Sequence, residues 1–560
     1  LKQWLAICPH DRRSSFLREG ALRSPRAAGA KALISLGNRF RAARRPASRY
    51  DRRPTGFINF VIPIPMRQVI DPQLKLGEQD IARIDIDARS RDDIPRILRG
   101  LQYIYVTPEV REQVFAVLAE VLPRAADGEG AVDRERGRPG MVQWKILVLG
   151  SLRLALNADY DRIQELANQH GTIRQMLGHG DWADDTRYSL QTLRDNLRLF
   201  TPEVLDRINR IVVDAGHALV KKSPDDGLAV RCDSFVVETD VHFPTDTNLL
   251  LDAVRKVIAT CAQLCDEQDL SDWRQAAYNQ RCLKKAYRHT QRLKRSRAKD
   301  GDKRAAREAE ILAGYNDYLD LAERFLTRAA ETRAKLLIGC RMPAAQLEPL
   351  DGWIAHGERQ IEQIRRRIFR GERIPHHEKV FSIFQPHTEW ISKGKAGVPV
   401  ELGLRVAVSE DQYGFILHHH VMEKITDDQV AIDLVEGTRA RFCGVHSLSM
   451  DKGFHSKDNQ AHLADVVAMA VMPKKGKRSQ AELAHERDPE FIRLRHRHSA
   501  IESAINALEA HGLDLCRDHG IDGFKRYVAL AVVGRNLHRL GAILLEQDAE
   551  RERRQRQRAA

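Results

Sequence analysis

The sequence predicts an α/β protein with a mixed sheet flanked by helices, a helical N-terminal region and a large helical insertion after the first core strand. Three observations lead to this prediction. Near residue 228 the hydrophobic period changes from 3.6 to 2, and helical patterns then return until about residue 375. From residue 380 onwards, strand and helix patterns alternate. At 560 residues, the chain is too long for a single hydrophobic core.

The net charge of +14 is concentrated at the N-terminus. Residues 1–55 hold 14 Lys or Arg against 3 Asp or Glu, which leaves only +3 for the rest of the chain. This segment is rich in Arg, Ala, Ser and Pro and shows no periodicity. We interpret residues 1–65 as a disordered basic tail, or as sequence upstream of a natural start at Met66. The alternative is a nucleic-acid-binding arm.

Composition argues against several classes of protein. The eight cysteines include no CxxC pair, which favours neither a zinc site nor a disulfide framework and fits a reducing compartment. No apolar run approaches the roughly 18–20 residues that span a bilayer, so we expect no membrane partner. The chain also has no Walker-type phosphate loop, so ATP is not implied.

The region 66–225 is predicted to be helical and to bind DNA. In "TPEVREQVFAVLAEVL", Thr107 is a candidate N-cap and Pro108 occupies the first helical position. Three further helical patterns follow, "MVQWKILVLGSLRLAL", "YDRIQELANQ" and "TIRQMLG", with tight turns between them. This arrangement is typical of a helix-turn-helix unit, but many small helical bundles show it too. DNA contact and plain packing therefore both remain open for this segment.

The first core strand and the insertion come next. "LAVRCDSFVVET" alternates and is rich in β-branched residues, which predicts a strand, and Asp246 or Thr247 can cap the helix after it. Residues 281–310 carry 12 Lys or Arg against 4 Asp or Glu, so they form either a solvated helical face or a phosphate-contacting surface. We favour DNA contact, and we assign it to Lys284, Lys285, Arg292, Lys294 and Arg295.

The second half of the chain predicts the rest of the sheet. "VFSIFQPHTEWI", "PVELGLRVAVSED" and "GFILHHHVME" indicate antiparallel strands, and "VHSLSMD" and "AMAVMPKK" indicate strands that follow helices. One long helix is predicted over "DPEFIRLRHRHSAIESAINALEAHG" and a last one over "DGFKRYVALAVVGRNLHRLGAILLEQ". This order is that of an RNase H-like core. The predicted divisions are a basic tail (1–65), a helical DNA-binding region (66–225), the first part of the core (226–250), a basic helical insertion (251–377), the rest of the core (378–545) and an Arg-rich tail (546–560).

Three acidic residues are placed where they can meet. Asp233 lies in the first strand, Asp451 ends the strand after the first core helix, and Glu502 lies on the long penultimate helix. Each alone has an ordinary structural interpretation, but together they can hold two Mg²⁺ or Mn²⁺ ions, since both prefer carboxylate oxygens. Such a pair can promote phosphodiester attack. Nearby, Lys393, Lys395 and Lys452 are candidates for contacts to DNA phosphates.

Longer motifs resemble a known family. "RCDSFVVETDVHFPTDTNLLLDAVRKV", "IFQPHTEWISKGKAGVPVELGLRVAV", "SMDKGF" and "HSAIESAINALEAHGLDLCRDHGIDGFKRYVALAVVGRNLHRLG" are similar to insertion-sequence transposases with an Asp-Asp-Glu (DDE) triad, of the ISNCY-like kind. The resemblance covers roughly residues 140–545. It implies metal-dependent cleavage of double-stranded DNA at terminal inverted repeats, followed by strand transfer into target DNA. It also implies a homodimer or larger assembly on DNA and a cytoplasmic, nucleoid-associated location in a bacterium.

The triad of this family maps to Asp233, Asp451 and Glu502. Many such enzymes surround the glutamate with Y-x2-R-x3-E-x6-K, but here only the glutamate is retained. His498 takes the arginine's position, and we expect it to act as a cation near DNA phosphate. Asp240 and Asp246 lie close enough in sequence to compete with Asp233 as the first ligand.

Two other functions remain open. An RNase H-like nuclease would cut DNA without joining it. A catalytically inactive, transposase-derived protein would only bind DNA.

Overall fold

The computed structural model describes most of the chain from residue 68 onwards. The described residues are 68–70, 78–121, 140–180, 184–220, 227–295, 301–338, 342–392, 399–474 and 476–559. The predicted basic tail 1–65 and almost all of the linker 124–140 lie outside these ranges, as do Lys393 and Lys395.

The chain before the sheet is helical, as the sequence predicts. Its described helices are α1 (Ile94–Val106), α2 (Pro108–Glu120), α3 (Gln143–Ala155), α4 (Tyr160–Gln169), α5 (Gly171–Met176), α6 (Leu190–Leu197) and α7 (Pro202–Leu219). The start of α2 at Pro108, after the N-cap Thr107, is confirmed. The break before α4 is also confirmed, and Asp159 caps this helix by accepting a hydrogen bond from the amide of Arg162 at 2.7 Å.

Four helices of the insertion follow the first strand. They are α8 (Asp246–Glu267), α9 (Ala276–Arg295), α10 (Gly301–Ile338) and α11 (Ala344–Ile368). They pack around a hydrophobic core of their own, which includes Trp273 and Tyr318. The predicted N-cap of α8 at Asp246 or Thr247 is wrong, because Thr245 accepts the hydrogen bond from the amide of Asn248 at 3.2 Å.

The remaining helices belong to the second half of the chain. They are α12 (Asp427–Arg441), α13 (Lys457–Val466), α14 (Gln480–Glu486), α15 (Pro489–His498), α16 (Ile501–Leu508) and α17 (Ile521–Ala559). The single long helix predicted over 488–512 is wrong, since it divides into α15 and α16. At the division the amides of Ala500, Glu502 and Ser503 donate hydrogen bonds to carbonyls three residues back. Such bonds wind the backbone more tightly over this one turn than in an α-helix.

The protein is α/β, with a mixed sheet of seven strands flanked by helices. The strands are β1 (Leu228–Thr239), β2 (Glu389–Ser392), β3 (Val400–Glu410), β4 (Ile416–Met422), β5 (Val445–Met450), β6 (Met469–Val471) and β7 (Leu515–Cys516). β1 is central, antiparallel to β3 on one side and parallel to β5 and β7 on the other. β3 also pairs antiparallel with β2 and with β4, and β6 pairs parallel with β5.

The predicted strand over 380–391 is confirmed only at its end. Residues 380–388 lie outside the sheet, and β2 begins at Glu389. The reason is local: the hydroxyl of Ser382 accepts hydrogen bonds from the amides of Phe384 and Gln385, at 3.2 and 3.0 Å, and turns the chain.

The N-terminal helices and the sheet share one continuous hydrophobic core. The long helix α17 lies within it and packs against α1, α3 and α7. α1 and α17 approach so closely that a Cβ on Gly541 would lie 1.7 Å from the backbone oxygen of Arg96. Among the described helices, α17 alone is long and apolar enough to cross a membrane, although the sequence predicted no such segment; 78% of its apolar stretch is buried inside the protein.

Candidate active site

Asp233 lies in β1, and Asp451 directly follows the neighbouring parallel strand β5. The β1–β5 register pairs Cys232 with Met450, so the next residue of each chain segment is one of these two aspartates. Adjacent strands are about 4.8 Å apart, which brings the two carboxylates close together. β5 ends at Met450, and Asp451 is exposed at the strand tip, before a short 3₁₀ turn over Lys452–Phe454.

Asp233 is half-buried, and its surroundings are unfavourable for a negative charge. Burial, the largest cause, acts with the carboxylates of Asp451, Glu502 and Asp427 to raise the pKa of its carboxyl to about 6. The amide of Ser234 donates a hydrogen bond to its Oδ1 at 2.7 Å, which opposes the rise. The charges of Asp451 and Glu502 thus both act on Asp233.

Glu502 reaches the site because of how α16 packs. The buried face of α16 consists of Ile501, Ala504, Ile505 and Leu508, and the helix lies against β1. Glu502 follows Ile501 in the first turn of the helix, and its side chain is exposed. The tightened turn before α16 places Glu502 at a helix start rather than in the middle of a long helix.

His498 lies in the same site, but its charge differs from the prediction. Its Nδ1 is 3.2 Å from the hydroxyl of Ser449 on β5. Burial lowers the pKa of its imidazole, an effect that Asp451 and Glu502 oppose and Arg231 reinforces. Since an ordinary histidine pKa is about 6.5, His498 is neutral at pH 7. The expected cation is therefore a neutral hydrogen-bonding group.

A fourth acidic residue, Asp427, stands beside the triad and was not singled out from the sequence. It is the first residue of α12, and the hydroxyl of Ser234 donates a hydrogen bond to its Oδ1 at 2.6 Å. Acidic residues are common in the first turn of a helix, so the pattern "TDDQ" does not distinguish a site residue from a helix-stabilising one.

The competing first ligands lie elsewhere. Asp240 follows the end of β1 and is exposed, seven residues beyond Asp233. Asp246 forms an ion pair with Arg367 at 2.6 Å. His242, also close in sequence to Asp240, pairs with Asp252 at 2.5 Å. Asp233 remains the first acidic residue of the site.

The donor set fits divalent cations that prefer oxygen. Within the described residues, Asp233, Asp451, Glu502 and Asp427 form no ion pair with Lys or Arg. Among all the residues that the structure describes, no three side chains are already close enough together to hold a metal ion. The carboxylates therefore do not form a closed ligand shell. Carboxylate oxygens that lack a counter-charge suit Mg²⁺ or Mn²⁺.

The predicted DNA-contacting residues lie in two places. Lys452 is exposed at the strand tip, directly after Asp451. The others are exposed on α9 of the insertion: Lys284, Lys285, Arg292, Lys294 and Arg295. Lys393 and Lys395 lie outside the described residues, and the structure gives no position for them.

Comparison with known protein families, with curated proteins and with solved structures found no match. The chemistry of the site is therefore interpreted from its own residues. These are four neighbouring carboxylates without cationic partners among the described residues, one neutral histidine and an exposed lysine at the strand tip.

Proposed function

We propose that this protein is a DDE transposase that uses divalent cations to cleave transposon ends and transfer the cut strand into target DNA. One observation carries the proposal. Asp233 and Asp451 each follow the last residue pair of the parallel β1–β5 ladder, Cys232 and Met450, and the charges of Asp451 and Glu502 raise the pKa of Asp233. A fold that gathers carboxylates without neutralising them is expected to bind cations there.

The strand order supports an RNase H-like core as part of this proposal. Across the sheet the order is β2-β3-β1-β5-β6, with β4 also paired to β3 and β7 also paired to β1. The antiparallel strands β1, β3 and β4 come first in this core, and the parallel strands β5 and β6 each follow a helix. This is the order expected for such a core, with the α8–α11 insertion placed after its first strand.

Asp233, Asp451 and Glu502 would hold the ions. Two divalent cations bound there supply activation of a water or 3′-hydroxyl and stabilisation of the leaving oxygen. Lys452 is exposed and directly follows Asp451 in the chain, so it can hold a DNA phosphate near the site. His498, neutral at pH 7, can donate or accept a hydrogen bond beside the carboxylates without repelling a cation.

The helix α9 supports DNA binding. It carries seven Lys or Arg and no Asp or Glu, and all seven are exposed. In the described part of the chain, none of the seven has an acidic partner. The exposed cations from Arg281 to Arg295 recur every three or four residues, while Leu283 and Thr290 face the core. At about 1.5 Å per residue this stripe is about 21 Å long, or about six base pairs of duplex.

Removing two charges from this stripe tests its role. Lys284→Ala combined with Lys285→Ala should weaken binding to a random-sequence duplex by about tenfold and reduce the salt slope by about 2. Fluorescence anisotropy at several salt concentrations measures both quantities. Arg324→Ala with Lys335→Ala removes two exposed cations from α10, among the acidic residues of that helix, and serves as the control. Equal weakening by both pairs would contradict a specific role for α9.

The proposal extends to assembly and location. Joining two transposon ends to one target requires at least two active sites, so we propose a dimer or larger complex that forms on DNA. The DNA substrate implies a cytoplasmic protein associated with the bacterial nucleoid.

A strand-transfer assay separates the candidate functions. Purified protein is incubated with Mg²⁺ and duplexes that carry the inverted repeats found on either side of its reading frame. A transposase yields products joined to target DNA, whereas an RNase H-like nuclease yields cut ends only. An inactive DNA-binding descendant yields a shifted complex and no new strands. Absence of cleavage with both Mg²⁺ and Mn²⁺ would overturn the proposal.

A further inference from the structure

The turn between β1 and α8 presents an aromatic ring to solvent. β1 continues for six residues beyond Asp233, or about 20 Å, before this turn, "DVHFPTD", begins. Within the turn, 59% of Phe243 is exposed. Exposed apolar area is unfavourable in water, and aromatic side chains are enriched in binding surfaces, where a partner covers them. The turn begins well away from the acidic site, so the carboxylates there do not explain why this ring is exposed.

Contacts on both sides hold Phe243 in place. Its ring meets that of Trp390 on β2 edge to face, with the centroids 5.5 Å apart, and the ring of Phe381 lies 5.7 Å from that of Trp390. Trp390 and Phe381 are half-buried, so they support Phe243 from the body of the protein. The preceding residue, His242, is fixed to α8 by its pair with Asp252. A ring that is held before its ligand arrives loses little conformational entropy on binding.

The basic helix α9 lies beside the same turn. Asn248, in the first turn of α8, donates a hydrogen bond to the carbonyl of Phe243 at 3.5 Å and accepts one from the hydroxyl of Tyr287 on α9. One turn further along α9, the side-chain amide of Gln291 donates to the hydroxyl of Thr247 at 2.8 Å. The exposed cations on this part of α9 are Arg288, Arg292, Lys294 and Arg295. Positive charge is therefore available next to the exposed ring.

We propose that Phe243 stacks on an unpaired base of bound DNA while the cations of α9 hold the neighbouring phosphates. The inference rests on the proposed function, in which α9 contacts DNA. Every base has a planar π face, so an exposed aromatic ring binds unpaired bases of any sequence. Inside an intact duplex these faces are covered by the adjacent base pairs, and the ring then adds no affinity. The cations favour DNA over a protein partner, because each base is accompanied by a phosphate.

Binding of three DNAs by the full-length protein tests this assignment. Fluorescence anisotropy compares a fully paired duplex, the same duplex with one bulged base and the same duplex with a two-base overhang, which distinguishes an interior unpaired base from one at an end. The wild type should bind at least one of the last two about tenfold more tightly than the paired duplex, as expected for stacking of one base. Phe243→Ala should lose this preference and keep its affinity for the paired duplex within twofold. The control is Phe369→Ala, which removes another exposed ring, at the end of α11, and should keep the preference.

Two further variants separate stacking from apolar contact. Phe243→Trp keeps a planar ring and should retain or increase the preference for unpaired bases, whereas Phe243→Leu keeps an apolar side chain without a π face and should lose it. A preference that survives in Phe243→Ala or in Phe243→Leu overturns the inference. A wild type that binds all three DNAs equally removes this inference alone, whereas a wild type that binds none of them removes the proposed DNA contact of α9 as well.

Discussion

Two groups of acidic residues on the same sheet have opposite surroundings. At the end of β3, Glu410 lies 2.8 Å from Arg231, and the adjacent Asp411 lies 2.5 Å from His217. Both acids are buried, with exposed fractions of 4% and 0%. Around Asp233, by contrast, the charges that act on the carboxyl come from other carboxylates.

The difference shows where the chain neutralises its own charge. Burial raises the pKa of Glu410 to about 7, and Arg231 opposes this rise by favouring the charged form. Burial and, to a smaller extent, its acidic neighbours raise the pKa of Asp233 to about 6. The first group has ion-pair partners within the chain, and Arg231 opposes the rise in the pKa of Glu410 without cancelling it. The second is repulsive in the protein alone, and a bound cation would convert that repulsion into attraction.

The largest expected effect is on catalysis. Asp451→Asn should reduce Mg²⁺-dependent strand cleavage by more than about 100-fold, because loss of even an indirect metal contact costs about 10–100-fold. Its melting temperature without metal should stay close to that of the wild type, because Asp451 is exposed and has no cationic partner among the described residues. A cleavage assay and thermal unfolding measure the two quantities. Unchanged cleavage would contradict the view that the acids around Asp233 bind cations while those around Glu410 do not.

The neutralised group should respond in the opposite way. Asp411 accepts hydrogen bonds from the amides of Tyr413 and Phe415, both at 2.9 Å, and pairs with His217. Asp411→Ala leaves these buried donors without an acceptor and should lower the free energy of unfolding by about 3–5 kcal/mol. Urea unfolding followed by circular dichroism measures the loss. Asp411→Asn keeps an acceptor oxygen and should cost less; a loss below about 1 kcal/mol for the alanine variant would contradict this account.

The smallest effect is a dependence on pH that cations should remove. The pKa of Asp233 is raised to about 6 in the folded protein from an ordinary value of 3.8. Between these values the folded state binds a proton that the unfolded state does not, so this group destabilises the protein above pH 6 and the cost is relieved as pH falls toward 4. In EDTA, the melting temperature of the wild type should therefore rise relative to that of Asp233→Asn as the pH falls through 6.

Saturating Mg²⁺ sharpens this comparison. A bound cation favours the charged form of Asp233. The rise in the wild type's melting temperature relative to Asp233→Asn at low pH should therefore disappear. Glu410 has its cationic partner within the chain. Because Glu410 is present in both the wild type and Asp233→Asn, its titration cancels when their melting temperatures are subtracted. A pH dependence that persists unchanged with Mg²⁺ would show that Asp233 does not face the cation site.

Much of the fold follows from local patterns. The alternation in "LAVRCDSFVVET" predicts β1 at the bounds the structure has, Leu228–Thr239. The break at Asn157–Asp159 is equally visible, since Asp159 caps the next helix. Local patterns fail where a side chain redirects the backbone. Ser382 turns a segment that looks like a strand, and the division at Ser499–Ala500 resembles an uninterrupted helix in sequence.

The candidate site, like the fold, could be predicted from the sequence only in part. Residue type and order led to the prediction of Asp233, Asp451 and Glu502, and Asp451 was singled out because an acid at a strand tip is costly wherever the strand goes. Asp427 and Ser234 could not be selected, because their meeting depends on how α12 lies against β1 across 193 residues of sequence. The neutral state of His498 was equally hidden, since burial lowers its pKa and burial is a property of packing. The chain itself thus determines which residues favour a strand, a helix or a charge. Which charges become neighbours, and which remain unneutralised, is decided only when distant segments pack together, because electrostatic energy depends on distance in space and on the exclusion of water.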